Sequence, residues 1–197
     1  SIQGRKLHFS RIQLDNGSFY LKKLNDSTSN VDFIIDYFKK TDTIHHKSKP
    51  WTLVFERSVI NNFHFRFRNL MRKEVTASRV NIDDIDINHL SVEVLGMDLV
   101  HHVFKGDVRH LTLQEKSGFY LKDFTALTTV DTNQILAQKL HISTSHSNLK
   151  DYFRMRFRHF VDIGNDFEDK VTLYANLKSS HLSSADIAYF RNTMDKT

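Results

Sequence analysis

Phe63-His64-Phe65-Arg66-Phe67-Arg68 alternates an aromatic with a basic or polar residue at every step. A period of two places successive side chains on opposite sides of an extended backbone, so this stretch predicts a strand with one greasy and one basic face. The same pattern recurs outward in both directions. Upstream lie Leu7 and Phe9, then Ile12 and Leu14 with the phase slipped by one residue, and then Trp51–Arg57. A slip of that kind is what a bulge or bend allows. Downstream come Ile82, Ile85 and Ile87, then Leu90, Val92 and Val94, then Met97 and Leu99. Leu111 with Leu113, Phe119 with Leu121, Leu140 with Ile142, Met155 with Phe157, and finally Val171 to Leu177 continue it. The chain therefore reads as mainly β.

Few segments read otherwise. Asp15-Asn16-Gly17 predicts a hairpin turn. Residues 30–40 predict a short helix, with Val31, Ile34, Ile35 and Phe38 on one face and two lysines in the last turn. Residues 41–49 predict a loop, and 131–138 a short helix or turn. Residues 183–190 predict a second short helix capped by Ser183 or Ser184. Three pairs of stretches echo one another without a fixed period: residues 17–22 with 117–122, 6–10 with 139–143, and 63–68 with 153–158. They suit a sheet that grows by adding similar strands. No long amphipathic helix is present to cover the apolar side. Three coverings remain open: a second sheet, a strongly curved sheet folded towards itself, or a non-protein ligand.

Composition narrows the function classes. The 197 residues are 40% apolar, and no run approaches the roughly 20 apolar residues of a membrane helix. Mean hydropathy is −0.44. There is no cysteine, which excludes disulfides, thiolate zinc sites and cysteine nucleophiles. Twenty-eight Lys and Arg against 23 Asp and Glu leave a formal charge of +5, a mild preference for acidic surfaces. Sixteen Phe against one Trp favour dry surfaces, because Phe carries no polar handle. The opening Ser-Ile-Gln-Gly-Arg-Lys has neither the apolar core nor the cleavage site of a signal peptide, and no initiating Met. The chain is expected to be a single β-rich segment, residues 1–197, of a longer protein.

No nucleophile elbow, phosphate loop, HExxH or dinucleotide fingerprint occurs, so no enzyme and no cofactor is expected. His45-His46 and His101-His102 invite a metal, but adjacent strand residues point apart. Asp83, Asp84 and Asp86 lack the spacing of a calcium loop, so no metal site is expected. Arg66, Arg68, Arg154, Arg156 and Arg158 could bind phosphates, but a solvated outer face is the favoured reading. Base stacking needs aromatics and cations on the same face, and alternation sets Phe opposite Arg, which counts against nucleic acid.

Ile82-Asp83-Asp84-Ile85-Asp86-Ile87-Asn88-His89-Leu90-Ser91-Val92 and residues 111–123 are similar to the Bacteroidetes branch of the TamB family, within the AsmA-like group. So are residues 12–22, 30–38 and 182–190, and the likeness runs from about residue 5 to 192. The resemblance implies a periplasmic segment of a protein anchored in the inner membrane. It implies an elongated, strongly curved, antiparallel-type sheet forming a U-shaped groove, and phospholipid transport between the two membranes. Phe63, Phe65, Phe67, Leu90, Val92, Val94, Leu111, Leu113, Met155, Phe157, Leu173 and Leu177 are the lipid-facing candidates; an ordinary protein core is the competing assignment for them. Expected partners are phospholipid acyl chains, outer-membrane assembly proteins, neighbouring segments of the same protein, and a second copy through unpaired edge strands. The alternative function is a structural or protein-interaction β domain that assists outer-membrane protein assembly without binding lipid itself.

Overall fold

The computed structural model describes residues 2–3, 6–25, 28–32, 52–72, 78–100, 103–159, 162 and 167–194. Ten strands follow in chain order: β1 (Ile2–Gln3), β2 (Lys6–Asp15), β3 (Ser18–Lys23), β4 (Thr52–Asn69), β5 (Asp84–Val100), β6 (Val103–Glu115), β7 (Tyr120–Val130), β8 (Gln134–Thr144), β9 (Asn148–Arg156) and β10 (Thr172–Asn176). A one-turn helix α1 (Phe167–Lys170) precedes β10, and α2 (Ser184–Met194) follows it. The strands form one sheet whose path is β1-β2-β4-β5-β6-β7-β8-β9-β10, with β3 pairing beside β4.

The expected antiparallel-type, strongly curved U-shaped groove is corrected on both counts. β2 and β3 run parallel to β4, so the sheet is mixed. It is open: β1 and β10 end the path at opposite edges, and the sheet is neither closed nor strongly curled. The parallel pairing also corrects the hairpin at Asp15-Asn16-Gly17. Asn16 has the left-handed φ of 53° that a turn would use. The chain nevertheless kinks there without reversing, and β2 and β3 continue along the same side of β4. β3 ends at Lys23 and β4 begins at Thr52, a separation long enough for a parallel crossover.

Cross-strand neighbours share a face, and the register aligns apolar residues from edge to edge. Ile2, Leu7, Leu53, Leu99, Phe104, Val130, Ile135, Met155 and Leu173 occupy one continuous row across nine strands. Strands as long as β4 and β5 keep an apolar face only by changing phase where the sequence does. β6 runs Phe104, Gly106, Val108 without interruption, pairing with both Leu99 and Val94. β5 must therefore invert between those two, and Gly96 with φ 58° marks the place. β2 and β4 shift at the same level: Phe9 pairs with Phe55 and Ile12 with Ser58, the slip visible in the sequence between Phe9 and Ile12.

A second line of left-handed residues crosses the sheet lower down. Asn62 (φ 49°), His89 (φ 52°) and His110 (φ 53°) sit at the irregularities of β4, β5 and β6, and Lys139 (φ 50°) at that of β8. Each inserts one residue and restores apolar side chains to the same face: Ile60 to Phe63, Leu90 to Ile87, Val108 to Leu111, Ala137 to Leu140. Residues 131–133 form a turn rather than the start of a helix, and β8 begins at Gln134. The Asp131 carboxylate closes the turn by accepting from the backbone N–H groups of Asn133 and Gln134 at 2.9 and 3.0 Å. The expected helix at 30–40 lies largely outside the described residues, as do residues 41–49 and His101-His102. α2 forms where the cap predicted it, with the Ser183 hydroxyl accepting from the Ala185 N–H at 3.2 Å.

Candidate interaction surface

The face selected by these bulges gathers most of the residues chosen from sequence. Phe63 pairs with Leu90, Phe65 with Ile87 and Phe67 with Ile85. Val94 pairs with Val108, and Leu113 with Leu121. Val92, Leu111 and Met155 share the face, half-buried by their neighbours in the sheet. Ring stacking reinforces it at the β2–β3 side, with Phe9 on Phe55 at 5.0 Å and Phe19 on Phe65 at 6.1 Å. Two candidates fall elsewhere. Phe157 lies just past β9, buried, with its N–H donated to the Asn133 carbonyl at 2.9 Å. Leu177 lies past the end of β10 and is exposed. Leu173 sits on the edge strand, 48% exposed.

The best-packed part of this face went unnoticed in the sequence. Ala126, Ala137 and Leu140 form a buried cluster bordered by Phe124, Ile142 and Phe153. Its signal is the pair of alanines in β-branched, polar surroundings, which lets the larger neighbours meet over them. Burial elsewhere is shallow. Among the described residues the one large side chain sealed from solvent is a carboxylate, Asp84. Each described strand packs against its ladder neighbours, and neither described helix packs broadly across the sheet. α2 touches one corner, where Phe119 meets Tyr189 and Phe190 edge-on.

An apolar groove for phospholipid is therefore corrected. A conduit needs the sheet to wrap its apolar face inward, and this sheet stays open, with no pocket among the described residues. The identity and transport role that went with that groove lose their structural basis. No described helix is long and apolar enough to cross a membrane.

The opposite face is polar and laterally bonded. Tyr20 Oη lies 3.2 Å from His64 Nδ1, and His64 Nε2 lies 2.7 Å from Asp86 Oδ1. Asp84 is ringed by Lys116 Nζ at 2.5 Å, an Arg66 guanidinium nitrogen at 3.7 Å and an Arg68 one at 4.0 Å. Arg57 meets Glu93 at 2.6 Å, and Arg109 meets Asp107. The Arg109 guanidinium holds the Asp107 carboxyl below its usual range. Hydrogen bonds from Asn61, then Gln13, do the same for Asp15. These pairs hold their charges in one another's reach rather than aiming them at a common point. Among the described residues no cluster of His, Asp and Glu could hold a metal ion.

The two sides of the sheet end differently. Beside β3, Asn30 imitates a neighbouring strand: its Oδ1 accepts from the Lys22 N–H at 2.6 Å and its Nδ2 donates to the Tyr20 carbonyl at 2.8 Å. That arrangement blocks an edge to further pairing. β10 is exposed along its whole length. Near it, α2 is latched to the β8–β9 turn through Asp186, which accepts from the Thr144 hydroxyl and lies 3.3 Å from His146 Nδ1. Burial pushes the Asp186 carboxyl up, but the hydrogen bonds from Ser147, Thr144 and His146 outweigh it and its pKa is lowered.

No family model, no curated protein and no solved structure matches this chain.

Proposed function

We propose that this chain is a non-catalytic structural module whose open sheet serves as a protein-interaction surface. The observation that carries this is the continuous apolar face, maintained across two lines of bulges that would serve no purpose if the sheet were indifferent to which side its apolar residues occupied. Protein suits this surface better than lipid. A half-buried, open layer complements another layer of secondary structure, whereas acyl chains need an enclosing cavity to leave water. Over β4 to β6 the charged face pairs its charges laterally, which keeps the sheet from stacking there.

The test is Phe65→Asp, with Leu111→Asp as a second variant. Both are expected to keep the far-ultraviolet circular dichroism of the parent. Both are also expected to lower binding of a hydrophobic dye and any self-association seen by sedimentation velocity. Loss of folded structure in both variants would show instead that the face is sealed inside a protein core and is not a docking surface.

A further inference from the structure

At the β9–β10 end the polar face changes character. Tyr152, Arg154 and Arg156 alternate along β9 with Phe153 and Met155, which belong to the apolar face. Tyr174 of β10 pairs directly with Arg154, and Tyr152 pairs with Asn176. All four side chains therefore share the polar side, with no irregularity between β9 and β10 to separate them. Tyr152 stands diagonal to Tyr174, about 7–8 Å away in such a pair. Lys150, exposed, extends the same side of β9. Tyr174 is 51% exposed and Arg156 is exposed, and neither Arg156 nor Lys150 is ion-paired among the described residues. Arg154 donates to Gln134 Oε1 at 2.9 Å, which fixes its guanidinium on this face. The Asp131 carboxylate, which feels the charge of Arg154, is held by the backbone N–H groups of its own turn.

On the β3–β5 side Tyr20 also shares the polar face with a cation, Arg66, but there Arg66 and His64 meet the carboxylates of Asp84 and Asp86. At the β9–β10 end two phenol rings and three cations converge on one accessible surface beside an open edge strand. We infer that this patch binds single-stranded nucleic acid, with bases stacking on Tyr152 and Tyr174 and phosphates meeting Lys150, Arg154 and Arg156. Flat rings beside cations, two of which meet no carboxylate among the described residues, complement a ligand that alternates flat bases with negative charges. An acidic protein surface or anionic membrane would use the cations and leave the rings without a role.

The experiment is fluorescence anisotropy of a labelled oligothymidine of about 16 nucleotides, long enough for one site. The full chain is compared with Tyr152→Ala, Tyr174→Ala and Arg156→Gln. Binding by the parent is expected to weaken with salt at a log–log slope of about −2, for three phosphate contacts. Each Tyr→Ala change is expected to weaken it about tenfold. Arg156→Gln is expected to flatten the salt slope. Circular dichroism on the same samples shows whether the substitutions leave the fold intact. Absence of binding at low salt would overturn the inference. So would binding unchanged by both Tyr→Ala variants and equal for duplex DNA or heparin, which would reduce the patch to a general cationic surface.

Discussion

Gly17 has no room for a side chain. A Cβ built there would lie 2.2 Å from the Phe63 ring, which lies over the kink between β2 and β3. Gly17→Ala is expected to destabilise the chain by about 1–3 kcal/mol, read from the urea midpoint at unchanged slope. Asp84 presents the opposite situation, a sealed carboxylate among three cations. Asp84→Ala leaves those cations facing one another. Removing one member of a buried charge group costs about 3–5 kcal/mol. Arg66 and Lys116 are partly in solvent, so about 3 kcal/mol is expected, with Lys116→Met in the same background restoring part of it. Asp186 gives a pH dependence. Its folded pKa lies below the ordinary value of 3.8, so its contribution is present in full above that value and is lost as pH falls through the lowered one. Hydrogen exchange of the α2 amides is expected to accelerate below about pH 4, and Asp186→Asn is expected to remove that acid-dependent step.

At the scale of elements, bulges rather than turns shape the sheet. An L-residue held left-handed costs about 1–2 kcal/mol, less for Asn. Asn62 offsets part of this by donating from Nδ2 to Asn16 Oδ1 at 2.7 Å and placing Oδ1 2.8 Å from His89 Nδ1. Lys139 is exposed and has no comparable bond. Lys139→Gly is expected to stabilise the chain by up to about 1 kcal/mol, and Lys139→Val to destabilise it by a similar amount, both in thermal melts. These elements also show how far the sequence could be followed. Alternation located a part of each long strand but missed residues 103–110 of β6 and 122–130 of β7 and took the first half of β8 for a helix or turn, while the slip after Phe9 marked a real change of phase. Alternation could not show that residues 51–57 and 63–68 are one strand, because Asn62 interrupts the pattern while the ladder continues across it. Nor could Asp15-Asn16-Gly17 reveal its outcome. A left-handed residue is compatible with either a hairpin or a kink, and the pairing of β4 with both flanks decides between them.

At the scale of the whole molecule, the apolar residues were legible one by one, but the shape they make was not. Period-two patterning assigns side chains to faces and says nothing about how far a sheet curls. A U-shaped groove and an open sheet write the same alternation into Phe63, Phe65 and Phe67. The Tyr–Arg patch was hidden for a related reason. Tyr152 and Tyr174 are distant in sequence and share a face only through the β9–β10 register. On the proposed function, this open sheet docks on protein and carries no lipid. The most direct measurement is native mass spectrometry of the chain purified from a membrane-containing host, with lipid extraction from the same sample. A folded protein without bound phospholipid is the predicted result. Stoichiometric phospholipid, lost on Phe65→Asp while the fold persists, would contradict it.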